Sequence, residues 1–171
     1  MLKKLFALSA VSCCSMAALQ SQDVEPQNLP QKNRIAAIKK YLNDQGKVES
    51  VKKVKVNGSE LLLIKYVLAP TFQSYIRCAV ALPAEQVWTG RLIGLGNTGF
   101  PTQYPDNFYN WKEFTASTGV TAHLAGKNNA IATTDMGFSR HREKNPEVWK
   151  DFGFRATHLM TVTAKEIIRL Y

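Results

Sequence analysis

Hydrophobic and polar positions along the chain follow two periods, and the change from one to the other marks the elements. Ile35, Ala36, Ala37, Ile38, Tyr41 and Leu42 form an apolar stripe at helical spacing and predict a helix over residues 34–43, with Asn33 as its cap. From residue 48 the pattern becomes that of strands. Val48, Val51, Val54 and Val56 lead into Asn57-Gly58, a dipeptide that favours a two-residue hairpin turn, and residues 61–68 return as a strongly apolar strand. A third strand is expected over residues 75–82, ended by Pro83, which has no N–H to give a ladder. The short apolar run over residues 91–95 reads as a fourth strand, covered on both faces.

The second half alternates strand and helix. Phe114, Val120, Leu124 and neighbouring alanines predict an amphipathic helix over residues 113–126, although Gly119 lowers its propensity. Residues 130–135 form a fifth strand, and Met136-Gly137 a turn after it. Along residues 151–171 the positions Phe152, Ala156, Leu159, Met160, Thr163, Ile167 and Leu170 mark one helical face, with Asp151 favouring the N-terminus. Hairpin strands followed by strand, helix, strand, helix describe an α/β fold whose later strands are parallel and joined by right-handed crossovers. At 171 residues and 45% apolar composition, one core is expected.

The N-terminus carries a different signal. A basic tip at Lys3-Lys4, a short apolar run and Ser15-Met16-Ala17 match a secretory signal over residues 1–17. An alternative uses Cys13 or Cys14 as a lipidated N-terminus, because Ala10-Val11-Ser12-Cys13 resembles a lipoprotein cleavage box. The run is well short of the ~20 residues a spanning helix needs, so no membrane span is expected. Residues 18–33 are polar, proline-bearing and aperiodic, and read as a linker. The expected location is secreted or periplasmic, with residues 34–171 as the folded part.

A formal charge of +9 raises the question of a polyanionic partner. The lysines cluster only mildly, at Lys39-Lys40, Lys47, Lys52-Lys53 and Lys55, without interleaved aromatics, so a solvated surface and no nucleic-acid partner are expected. Cys78 lies in an alternating apolar strand and reads as a buried, inert thiol. His123, His141 and His158 lack zinc-ligand spacing, so no metal site is expected.

One motif invites a cofactor reading. Gly94-Leu95-Gly96-Asn97-Thr98-Gly99 fits the G-x-G-x-x-G pattern that cradles a dinucleotide, but Pro101 and Pro105 follow where a helix would have to begin. The next acidic residue at a strand end, Asp135, is about twice too far away for the ribose contact. These glycines open a loop.

Three blocks in order carry a resemblance. They are Ala81-Leu82-Pro83 through Trp88-Thr89-Gly90-Arg91 to Gly94-Leu95-Gly96-Asn97-Thr98-Gly99-Phe100, then Ala130-Ile131-Ala132-Thr133-Thr134-Asp135-Met136-Gly137, then Asp151-Phe152-Gly153-Phe154-Arg155-Ala156-Thr157-His158 on to Ala164-Lys165. Together they resemble the tannase and feruloyl esterase family of secreted α/β-hydrolases, which split esters of phenolic acids. The likeness runs from about residue 77 to Tyr171.

The resemblance implies a serine esterase acting on a small-molecule phenolic ester, with no metal or organic cofactor. It makes Gly96, Asn97, Thr98 and Gly99 the oxyanion loop, where backbone N–H groups meet the developing charge. Thr98 stands where the family often has glycine. Asp135 takes a structural hydrogen-bonding role, since it precedes the nucleophile in chain order and the triad acid of this fold follows it. His158 is expected to pack inside its helix, and His141 to lie in solvent.

No serine here sits in a complete nucleophile elbow, so the resemblance places nucleophile, acid and histidine beyond Tyr171. None of the catalytic triad is then within this chain, which is expected to be inactive alone. It also makes the strand over residues 91–95 the neighbour of the nucleophile strand. The alternative from another class is a non-catalytic exported binding or scaffold protein that keeps the first half of the fold.

Overall fold

The structure, a computed structural model, describes residues 30–95, 120–137 and 145–171. The signal reading, the linker reading up to residue 29, the Gly96–Gly99 loop, the first part of the helix expected over 113–126, and Ser139 and His141 lie outside the described residues; the last linker positions, 31–33, are the first turn of a helix. Helix α1 (Gln31–Gln45) leads into β1 (Gly46–Val56), β2 (Ser59–Leu68) and β3 (Ile76–Pro83), followed by a 3-10 turn at Glu85–Val87 and β4 (Leu92–Leu95). Then come α2 (Val120–Ala125), β5 (Ala130–Thr134), α3 (Pro146–Lys150), a π-helical turn at Asp151–Arg155 and α4 (Ala156–Leu170).

The strands form one sheet in the order β1-β2-β3-β5-β4. The first three are antiparallel neighbours, β5 runs antiparallel to β3, and β4 runs parallel to β5. The Asn57-Gly58 turn closes the first hairpin with both residues at positive φ, 46° and 85°, the twist that two-residue hairpins require. A register shift between Val48 and Ser50 bends β1, and its exposed Lys47, Lys52, Lys53 and Lys55 make this edge unattractive to a foreign strand.

Alternation along β2 and β3 divides the core in two. Leu62, Ile64, Tyr66 and Leu68, with Ile76, Cys78, Val80 and Leu82, face Ile38 and Leu42 of α1 and Ala156, Met160, Ala164 and Ile167 of α4. The intervening Leu61, Leu63, Ala79 and Ala81 face the other way and join Val56, Ile131 and Ala125 of α2. Because helices cover both faces, β2 and β5 carry continuous rather than alternating apolar runs. Each large side chain buried this way contributes about 1.5–3 kcal/mol. The result is a mixed α/β sheet with helices on both sides.

Three local expectations differ from what is observed. Helix α1 begins before Arg34, with Pro30 accepting from Asn33 N and Arg34 N, so Asn33 lies in the first turn and caps nothing. The last helical stretch begins at Pro146, where Asn145 Oδ1 accepts from Glu147 N at 3.0 Å, and Asp151 sits inside the helical run rather than at its start. Strand β4 is not covered on both faces. Its residues are half-buried, with Gly94 exposed, because among the described residues it is an edge strand with β5 on one side only.

Candidate functional site at the C-terminal ends of the parallel strands

Open α/β sheets place ligands at the carboxyl ends of their parallel strands. Here those ends belong to β4 and β5, in register from Leu92 with Ala130 to Leu95 with Thr133. Leu95 is the residue before Gly96, and Thr133 stands two before Asp135, so the chain leaves both strands at the same level of the sheet. The entry to this pair is fixed from the opposite end, where Thr89 Oγ1 meets Asn129 Oδ1 at 2.7 Å and Asn129 Nδ2 donates to Leu124 O at 2.8 Å.

Asp135 is 2% exposed. Its Oδ1 accepts from Arg77 N at 2.9 Å and Gly137 N at 2.8 Å, and Arg77 Nε lies 3.9 Å from Oδ2. Its own N–H donates to Arg77 O, which also accepts from Thr134 Oγ1. The carboxylate therefore ties the turn after β5 to β3, at the point where ladder pairing stops.

The turn is held from below. Met136 and Gly137 have φ of 60° and 69°. A Cβ on Gly137 would stand 2.8 Å from Asp151 Cβ and 3.2 Å from Asp151 Oδ2, so glycine is required both by conformation and by space. Asp151 is fully buried, and its Oδ1 accepts from Arg155 Nε at 2.5 Å. The Arg155 fork continues to Glu147 Oε2 at 2.7 Å and Ser74 Oγ at 2.8 Å, joining α3, the π-helical turn and the loop between β2 and β3.

Burial opposes the charge on Arg155, but its bonds to Asp151 and Glu147 outweigh that and raise its pKa. Glu147 is held below the usual carboxylate range by Lys150 and Arg155. This network leaves only a faint trace in the sequence. The i,i+4 spacing of Asp151 and Arg155 was the available signal, but it is common on exposed helices, where such a pair contributes little.

Histidine chemistry lies elsewhere. His158 is exposed rather than packed, because α4 turns Ala156, Met160 and Ala164 to the sheet and His158 to the opposite side, and His123 is exposed too. Among the described residues no group of three or more His, Cys, Asp or Glu is placed to hold a metal, and no helix is long and apolar enough to cross a membrane. Two surface grooves of about 260 and 280 Å³ are lined by residues that include Arg34, Glu85 and Tyr171, and Asp44, Leu68 and Leu159. Neither reaches Asp135 or β4.

Cys78 is fully buried in β3, and burial pushes its thiol far above the ordinary range. We expect a thiol-alkylating reagent at pH 8 to leave the Cys78 peptide unmodified in the native protein and to modify it in urea. Modification at equal rates in both conditions would contradict the burial.

No family model matches the chain. It is 34% identical over 102 residues to the probable feruloyl esterase B-2 of Aspergillus flavus, an alignment that takes in 58% of this chain and 17% of that protein. In fold it matches an esterase and the feruloyl esterase B of Aspergillus oryzae, each with a TM-score of 0.55, 21% identity, and coverage of 79% of this chain and 30% of the other. The chain is similar to the feruloyl esterases. It spans less than a third of either of these two feruloyl esterases. The structural likeness, at this identity, concerns the fold.

Proposed function

We propose that this chain is the N-terminal part of a secreted carboxylic ester hydrolase of the feruloyl esterase type, acting on phenolic esters. The observation that carries the reading is the joint placement of two blocks. The Gly96–Gly99 segment follows the last residue of β4, and Asp135 closes the adjacent parallel strand, in a chain whose sequence matches a probable feruloyl esterase. In this reading Gly96, Asn97, Thr98 and Gly99 supply backbone N–H groups to the oxyanion of the tetrahedral intermediate. Donors fixed in advance are worth a few kcal/mol each to the transition state, because they need no reorganisation when charge develops.

Asp135 has a different part. Its Oδ1 already accepts two backbone N–H bonds, so it serves as an anchor of the turn rather than as a proton acceptor for substrate. Residues 1–17 act as the export signal, and the stretch from residue 18 to the start of α1 at Gln31 as the linker to the folded part. Serine, acid and histidine lie beyond Tyr171. The serine attacks the ester carbonyl with histidine as base, and water releases the acyl-enzyme.

The test is to express the complete reading frame that encodes this chain and to assay it with the methyl ester of a hydroxycinnamic acid. Hydrolysis, abolished by a serine-reactive phosphonate, is the expected result. A folded product that neither hydrolyses the ester nor takes up the phosphonate overturns the reading and favours an exported binding protein.

A further inference from the structure

Asn57 is the one asparagine of this chain that a glycine follows. The pair forms the two-residue loop between β1 and β2, outside the ladder, whose last partners are Val56 and Ser59. Both residues are exposed, with φ of 46° and 85°, and a Cβ built on Gly58 would meet nothing within 4 Å. The Asn57 side-chain amide and the Gly58 backbone nitrogen thus stand side by side in water, and glycine has no side chain to screen the nitrogen.

The other described asparagines each lack one of these conditions. Asn145 precedes Pro146, whose nitrogen has no N–H to lose. Asn33 and Asn43 lie within α1, where the helix holds the following nitrogen in its own hydrogen bonding. Asn129 is buried and its amide is held at both ends, Oδ1 by Thr89 Oγ1 at 2.7 Å and Nδ2 by Leu124 O at 2.8 Å. The nitrogen that follows Asn128 belongs to this same buried residue.

We propose that Asn57 is a site of covalent self-modification, at which Gly58 N displaces ammonia from the Asn57 side chain and water turns the product into aspartate or isoaspartate. The Gly58 N–H gives its proton to hydroxide, and the nitrogen forms a bond to Asn57 Cγ. The bond from Cγ to Nδ2 breaks, and Nδ2 leaves as ammonia with a proton returned by water. Water then adds across one of the two carbonyl–nitrogen bonds of the cyclic imide, and nothing is oxidised or reduced. Ring closure needs only a local rearrangement of the turn, which lies at a loop tip beside the edge strand β1, where opening is least costly.

The two products differ in consequence. Aspartate suits a hairpin turn as asparagine does, and takes one unit from the formal charge of +9. Isoaspartate carries the backbone through the side chain and lengthens it by a methylene, which a two-residue loop with its flanking pair in register does not accommodate. It also disturbs Ser59, whose Oγ donates to Gly126 O at 3.2 Å and ties the hairpin to the end of α2. The chemistry is independent of the esterase reading.

The test is to hold the native protein, made from the complete reading frame, at pH 8 and to follow the peptides containing Asn57, Asn129 and Asn145 by mass spectrometry, with isoaspartate detected by an isoaspartyl methyltransferase. Loss of the amide should appear at Asn57 while Asn129 and Asn145 stay intact. It should be slower at pH 6, because the attacking nitrogen must lose its proton, and absent over the same period in Asn57→Gln. Asn57→Asp should keep the urea midpoint of the unaltered protein, and the isoaspartate form should fall below it. A native protein that keeps its Asn57 amide for as long as the urea-unfolded chain takes to lose it overturns the inference. So does an N-linked glycan on Asn57, for which Asn57-Gly58-Ser59 is an acceptor sequence, because the glycan would occupy the leaving nitrogen.

Discussion

Gly137→Val should destabilise the protein by about 3 kcal/mol or more, seen as a lower urea midpoint with the slope of the transition unchanged. Two independent costs add. A β-branched side chain at φ 69° is forced into the left-handed region, which disfavours it by about 1–3 kcal/mol. Its Cβ would also stand 2.8 Å from Asp151 Cβ and 3.2 Å from Ile76 Cγ1, and neither neighbour can retreat, since Asp151 is fully buried and Ile76 lies in the core. Gly58→Val is the control. Gly58 has φ 85° but open space around its missing Cβ, so it bears the conformational cost without the clash. Equal losses at the two sites would show that Asp151 does not press against the turn.

That contrast also shows which parts of the fold could be read from residues. The Asn57-Gly58 hairpin follows from local chemistry, because its conformational demand is met by the two turn residues alone. The buried face of the last helix is legible for the same reason, since its burial repeats with the period of the helix. Gly137 was legible only as a turn. Its second requirement comes from Asp151, fourteen positions on, and no local pattern reports a contact of that kind.

The site divides in the same way. Asp135 stands out in the sequence as a carboxylate at a strand end, but its partners Arg77 and Gly137 are supplied by β3 and by the turn, so its bonds are a product of topology. Asp151 invites the reading of a helix cap because acidic residues favour N-termini. The helical run in fact begins at Pro146, capped by Asn145, and the carboxylate turns inward to meet Arg155. Likewise β4 has the composition of a central strand but lies at the sheet edge among the described residues. Composition records what a strand can bury, whereas position depends on which strands stand beside it.

The second large effect concerns the charge that this arrangement buries. Arg155→Ala should cost about 3–5 kcal/mol, measured by urea unfolding, because it strands the Asp151 carboxylate without its partner. The double change Asp151→Leu with Arg155→Met should cost much less, since the buried charge leaves together with the cation that compensates it. The two changes are therefore strongly non-additive, as contacting residues in one network are. Should the double variant lose the sum of the single losses, the pair is not the coupled unit described here. If the double variant matches the unaltered protein in stability, the ion pair contributes little to folding.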